Sequence, residues 1–207
     1  MRVRPVSFDI LTEQLADRIT DLGSSRLRVL IDAAPAARPE AMADALVDPL
    51  RLRGRSVLRV SAKDFLRPAS LRFEHGRTDP DSYFDDWLDI GGLAREVLDP
   101  AAPDGSGSVL PSLWNAETDR ASRASYVDLP EHGVVVLDGA LLLGRWLPFE
   151  LTVHLDMSPA ALRRRTPPDE HWTLPAFDRY RAEVDPGAVA DVVVKMDDPN
   201  HPAIIDP

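Results

Sequence analysis

The chain has 207 residues, 44% of them hydrophobic and 28% charged, which is the length and composition of one ordinary α/β globule with room for a core. Its net charge of −10 argues against nonspecific binding to nucleic acid or to an anionic membrane, and no run approaches the ~18 apolar residues of a membrane span. Zero cysteines exclude disulfides and thiol chemistry, and Met-Arg-Val-Arg-Pro-Val-Ser lacks the apolar stretch of a secretory signal, so a cytoplasmic location is expected. In chain order, Phe8, Leu11, Leu15 and Ile19 recur at helical spacing behind Ser7, which predicts a capped helix over 7–21. Leu27 to Ile31 reads as a strand, and a helix follows from Pro39 with Met42, Leu46, Val47 and Leu50 on one side, Pro49 disturbing its last turn. Gly54-Arg55 turns into a second strand, Ser56 to Ser61, and this β-α-β spacing calls for a parallel sheet with right-handed crossovers.

Residues 66–88 read as polar, aromatic and irregular, broken by Pro68, Gly76 and Pro80. A short helix follows over Ile90 to Leu98, and Pro100 to Ser108 reads as a surface loop. Val134 to Leu137 is a continuous apolar run suited to a central strand buried on both faces. Leu151 to Leu155 and Asp191 to Lys195 read as further strands, with helices from Pro159 and over Pro175 to Val184. The expectation is one doubly wound α/β domain of about five parallel strands with helices on both faces. Strand 27–31 should lie beside strand 134–137 in the sheet interior, and residues 1–24 should supply an accessory helix.

The segment between the first strand and its helix, Ile31-Asp32-Ala33-Ala34-Pro35-Ala36-Ala37-Arg38-Pro39-Glu40, stands where a phosphate-binding loop would stand. Such a loop is G-x-x-x-x-G-K-[ST]: glycine lets amides close around phosphates, lysine meets the β/γ-phosphates and the hydroxyl holds Mg²⁺. Counted from Ala33, the glycine positions carry Ala33 and Arg38, the lysine position Pro39 and the hydroxyl position Glu40. Proline suits the first helical position but removes an amide and an ammonium, and Glu40 puts a carboxylate where an anion would bind. An ordinary strand-to-helix loop without any phosphate role is the competing reading.

The order of these landmarks resembles the uridine kinase/phosphoribulokinase-like branch of P-loop kinases, in particular the short uridine kinase-like proteins of actinobacteria. The Ile31-Asp32 strand end and Pro35-Ala36-Ala37 are similar to that family's V-D-G-P-P-A-A-G-K-T segment with its functional letters replaced. Val60-Ser61-Ala62-Lys63-Asp64-Phe65 resembles the end of its second strand, and Gly76 to Asp86 its acceptor-side loop. Val135-Val136-Leu137-Asp138-Gly139 resembles its Walker B-like strand, and Ala190 to Val194 its closing strand, so the likeness spans residues 26–200.

The resemblance implies that Asp64 is the base toward an accepting hydroxyl and Asp138 the acid that steadies Mg²⁺. A turn cap or a Lys63 partner is the alternative for Asp64, and an Asp-Gly turn the alternative for Asp138. Arg77, Tyr83, Phe84 and Asp86 are expected on the acceptor side, with Asp64, Arg77, Tyr83 and Asp86 facing one crevice with Asp138. Lys63 and Arg163-Arg164-Arg165 are candidates for a phosphate clamp, against the alternative of solvated charge at a helix end. Tyr83, Phe84, Trp87, Trp114 and His171-Trp172 could line a pocket for a flat base, or simply fill space. The acidic series Asp79, Asp81, Asp85, Asp86 and Asp89 reads as a solvated face sooner than a cation site, and no metal is expected.

Together these readings describe a uridine kinase-like fold, pseudokinase in character, whose phosphoryl transfer is impaired or absent. A nucleoside or nucleotide is a possible ligand and a second copy of the chain a possible partner, with neither nucleic acid nor membrane. One alternative is a working small-molecule kinase compensated by Arg38, Lys63 or the Arg163–Arg165 group, in which case alone ATP and Mg²⁺ are cofactors. The other alternative is a noncatalytic interaction module.

Overall fold

A computed structural model describes residues 2–23, 25–199 and 201–206. Its elements run β1 (Arg2–Pro5), α1 (Phe8–Asp21), β2 (Leu27–Asp32), α2 (Pro39–Ala45), α3 (Val47–Leu52), β3 (Ser56–Ser61), α4 (Ala69–Arg72), α5 (Pro80–Asp85) and α6 (Ile90–Leu93). Two small ribbons follow, in which β4 (Ser108–Val109) pairs with β7 (Val127–Asp128) and β5 (Trp114–Asn115) with β6 (Arg120–Ala121). The chain then continues through β8 (Gly133–Gly139), β9 (Leu151–Asp156), α7 (Pro159–Arg165), α8 (Leu174–Glu183), α9 (Pro186–Val189), β10 (Val192–Lys195) and β11 (Ala203–Asp206).

The main sheet has the order β1-β11-β10-β9-β2-β8-β3. Its five inner-to-edge strands β10, β9, β2, β8 and β3 are mutually parallel, as the apolar runs predict. Strand β2 lies between β8 and β9, with every residue of β2 and β8 buried. Such strands need cover on both faces, which the helices give. Two strands were not anticipated: β11 adds antiparallel to β10, and β1 antiparallel to β11. Both are four residues long and lie near the chain ends, too short to carry a periodic signal.

Residues 1–24 are therefore more than an accessory helix. β1 joins the sheet, and α1 buries Leu11, Leu15, Ala16 and Ile19 in the core behind a Ser7 cap that accepts from the Ile10 amide at 3.3 Å. The helix expected over Pro39 to Leu52 is two helices meeting at Leu46. Pro49 then sits in the first turn of α3, where its missing N–H costs no hydrogen bond. The stretch expected to be irregular contains α4 and α5, the latter capped by Asp79, which accepts from the Ser82 amide at 2.6 Å. The helix expected over Ile90 to Leu98 is α6 followed by one wide π turn, Ala94–Leu98. Arg26 ties down the 100–108 loop by donating to the carbonyls of Ala102 and Gly105.

Because the five strands are parallel, the carboxyl ends of β2, β3, β8 and β9 open on one edge, where α/β sheets hold ligands. Every candidate residue from the phosphate-loop position, the Asp64 turn and the Asp138 strand end comes from that edge.

Candidate functional site

The loop leaving β2 turns its amides inward. Ala33 donates to the Gly139 carbonyl, Ala37 to Ala34 and Arg38 to Pro35, each at 2.9 Å, while Pro35 and Pro39 have no N–H to give. A phosphate nest needs successive amides aimed at one anion. Here a 3₁₀ turn, Pro35–Ala37, closes on itself, and Arg38 takes the left-handed conformation (φ 58°, ψ 58°) before α2 begins at Pro39. Glu40 follows in the first turn, and its Oε2 is buried without a hydrogen-bond partner. An ATP phosphate and its Mg²⁺ do not fit this loop: lysine and hydroxyl are missing, the Ala33, Ala37 and Arg38 amides are occupied and a carboxylate stands at the helix start.

Beneath the loop lies a polar network that the sequence did not disclose. Asp32, fully buried at the end of β2, accepts from the Leu142 amide at 2.9 Å through Oδ1. Its Oδ2 accepts from the Tyr180 hydroxyl at 3.1 Å and lies 2.8 Å from His154 Nδ1. The Tyr180 oxygen in turn accepts from the Leu143 amide at 2.9 Å. Burial first, and the Asp32 charge second, hold the Tyr180 phenol far above its ordinary pKa, so it stays protonated and donating. These bonds fix the turn after β8, in which Leu141 is left-handed (φ 62°), a conformation strained for leucine.

Asp138, the last residue but one of β8, has a hydrogen bond at each carboxylate oxygen. Oδ1 accepts from Arg59 Nη2 at 2.7 Å and Oδ2 from the Ser61 hydroxyl at 2.9 Å. Arg59 also donates to the Val136 carbonyl at 2.7 Å and to Asp44 of α2 at 2.9 Å. Strand alternation puts Arg59 and Ser61 on one face of β3, and the pairing of Ser61 with Asp138 sets that face against the carboxylate. Arg59 is the one charged residue of β3 and is mostly covered; a charge so placed requires a partner, which is the signal that could have found this pair.

A cavity of about 360 Å³ opens between the loop and the segment after β3. Pro35 and Pro39 form one side, Lys63 and Leu66 another, Asp138 to Leu141 the floor, and Tyr83, Phe84, Trp87 and Trp172 the aromatic wall. The Tyr83 ring meets Trp87 edge-on at 5.1 Å and Trp172 at 5.5 Å, and burial pushes its phenol up to about 12. Arg145, also on the wall, donates to the Leu141 carbonyl at 2.6 Å and to the Phe84 carbonyl, and burial lowers its pKa.

Asp64 does not open into this cavity. It lies in the 3₁₀ turn Ala62–Phe65, where successive side chains diverge by about a third of a turn, so Lys63 faces the first cavity and Asp64 a second. That second cavity, about 520 Å³, is walled by Ser112, Asn115, Thr118 and Arg120 around the β5–β6 ribbon. Burial, then the charge of Asp138, raises the Asp64 pKa, while the Ser112 hydroxyl opposes the shift. The expected single crevice is thus divided. Tyr83 and Phe84 line the first cavity with Asp138, but Arg77 is exposed over the Phe73 ring at 4.9 Å and Asp86 faces Arg67 at 3.8 Å.

On the outer side of the loop, Arg38 and Arg165 line a third cavity of about 380 Å³ with Leu162, Thr166 and Glu170. Arg163 and Arg164 point to solvent from α7. The acidic series is dispersed as caps and ion pairs: Asp79 and Asp89 cap helices, and Asp81 and Asp85 lie 3.2 and 2.7 Å from Arg179. Trp114 lies in the ribbon and bonds Asp119 at 3.1 Å, and His171 contacts the Thr166 carbonyl at 3.0 Å. Among the described residues no group of three or more His, Asp or Glu could hold a metal ion, and no helix is long and apolar enough to cross a membrane.

Sheet order, the strand–turn–helix after β2 and the Asp138 strand end define a P-loop kinase-like fold. A possible uridine kinase from Bacillus stearothermophilus superposes with a TM-score of 0.71 at 22% identity, covering 90% of this chain and 96% of the other. A candidate fructose transport system kinase from Silicibacter sp. TM1040 gives 0.62 at 21% identity over 90% of each chain. D-glycerate 3-kinase from Cryptococcus neoformans gives 0.52 at 13% identity over 84% of this chain and 80% of the other. No protein-family model and no curated protein matches the chain at the sequence level.

Proposed function

We propose that this is a uridine kinase-like protein that holds a small molecule at the carboxyl edge of its sheet and has lost, or nearly lost, ATP-dependent phosphoryl transfer. The likeness in fold to a possible uridine kinase, a candidate fructose transport system kinase and a D-glycerate 3-kinase supports a hydroxyl-bearing small molecule as ligand, a nucleoside or nucleotide among them. The observation that carries the loss is the loop itself: the Ala33, Ala37 and Arg38 amides are bonded to backbone carbonyls, two positions are proline, and Glu40 stands where the Mg²⁺-binding hydroxyl would be. Each oxygen of Asp138 already accepts one hydrogen bond, from Arg59 or from Ser61, and the Arg59 charge competes with a metal for that carboxylate. Asp64, with its raised pKa and a polar cavity before it, is the group placed to meet a ligand hydroxyl. A cytoplasmic location belongs to the same reading.

A second reading, a compensated kinase, has one observation in its favour: Arg38 and Arg165 line a common cavity beside the loop and could meet phosphates there. The two separate in a single pair of measurements. A panel of nucleosides, sugars and glycerate is screened for melting shifts with and without Mg·ATP, and ADP release is followed in parallel. Shifts without ADP release are expected; ADP release that depends on an acceptor supports the compensated kinase instead.

A further inference from the structure

The first cavity carries an imbalance of charge and a wall of aromatic rings. Lys63 lines it without an ion pair to any described residue. Arg145 lines it with the Leu141 and Phe84 carbonyls and, at 5.4 Å, the Phe84 ring as contacts; the charges of Asp85 and Asp32 act on it from further off, and no carboxylate lies within ion-pair distance among the described residues. The one carboxylate on the floor, Asp138, is already matched by Arg59. Glu170 is exposed at the rim. Two cations, an exposed Lys63 and a half-buried Arg145, thus line a largely apolar space with no carboxylate in ion-pair contact among the described residues, an arrangement that favours an anionic guest.

The wall specifies the rest of that guest. Tyr83, Trp87 and Trp172 meet one another at centroid distances of 5.1 to 5.5 Å and present ring surfaces to the space. The volume, about 360 Å³, suits a ligand of one or two rings with a short polar branch.

We infer that this cavity binds a planar aromatic ligand bearing one anionic group, a carboxylate or a phosphate, with Lys63 and Arg145 facing the anion and Tyr83, Trp87 and Trp172 around the ring. The inference rests on the reading that the sheet edge holds a small molecule, and adds its chemical class. Recognition is by charge and ring surface, so it needs neither ATP nor Mg²⁺.

The test uses the full chain and two matched pairs, 1-naphthoate against 1-naphthamide and uridine 5′-monophosphate against uridine, titrated by calorimetry without ATP. At least one anion should bind about tenfold or more tighter than its neutral partner, the selectivity of a charge-assisted contact. Which pair discriminates identifies the source of the anion, carboxylate or phosphate. K63Q should weaken the anion and leave its neutral partner unchanged; W87F should weaken both members of the pair. Equal affinity within both pairs, an anion affinity unaltered by K63Q, or no anion binding up to millimolar concentration overturns the inference. Neutral probes binding as well as anions would sink the ligand class alone, whereas acceptor-dependent ADP release would sink the loss of phosphoryl transfer and leave the class standing.

Discussion

Two regions of one sheet edge have opposite chemistry. The loop after β2 faces its donors inward: Ala33, Ala37 and Arg38 amides are bonded to backbone carbonyls, and prolines occupy two further positions. The wall across the cavity carries cations and ring surface instead: Lys63 and Arg145 line the space with no carboxylate in ion-pair contact among the described residues, beside Tyr83, Trp87 and Trp172. A fold can therefore keep its scaffold and its cavity while the strand-to-helix turn after β2 lacks the letters of a phosphate-binding loop. The scaffold survives because it is held elsewhere, by the buried Asp32 network under the loop and the Arg59–Asp138 pair beside it.

The largest expected effect breaks that support. Arg59→Met leaves the buried Asp138 carboxylate unpaired and should destabilise the fold by about 3–5 kcal/mol in urea denaturation. The R59M/D138N double variant should regain most of that, and no rescue would show that the pair is not what holds this strand end.

Next, the contrast can be reversed in the loop. A33G/R38G/P39K/E40T restores the glycines, lysine and hydroxyl, and adding charge-assisted contacts worth about 3 kcal/mol should raise Mg·ATP affinity about a hundredfold. A restored loop with no gain would mean that the surroundings, and not the loop letters, exclude ATP.

Smaller still, Tyr180→Phe removes a donor from Asp32 and an acceptor from the Leu143 amide. A loss of about 1–3 kcal/mol in thermal or chemical unfolding is expected. A neutral result would show that the turn after β8 is held by Leu142 and His154 alone.

The smallest effect is a pH dependence. Burial raises the Asp64 pKa in the fold, so the fold favours the protonated acid. That contribution is complete below the unfolded pKa and is lost as pH rises through the raised folded pKa. D64N should therefore gain stability relative to wild type as pH rises through that window and then level off. The opposite slope would mean that Asp64 is stabilised as the carboxylate.

The sequence disclosed the sheet more fully than the site. Val134 to Leu137 and Leu27 to Ile31 are apolar runs whose burial on both faces follows from composition alone, and they are central neighbours. The missing P-loop letters were equally plain, since a motif is a local pattern. What could not be read depends on register and distance. Asp32, His154 and Tyr180 meet across β2, β9 and α8, and Arg59 meets Asp138 because β3 pairs with β8 in one register and not the next. The division of the acceptor side into two cavities turns on a 3₁₀ turn that sends Lys63 and Asp64 in different directions. Arg77 was expected in the crevice, but lies on the Phe73 ring outside it, a contact that spacing does not reveal.

The central claim, a kinase fold without a triphosphate grip, is tested most directly by titrating wild-type protein with Mg·ATP in a calorimeter. No heat of binding is expected below millimolar concentration, because lysine and hydroxyl are absent, the Ala33, Ala37 and Arg38 amides are bonded to backbone carbonyls and Glu40 opposes phosphate. Saturable binding in the micromolar range would contradict it and make Arg38 and Arg165 the residues that replace the missing lysine.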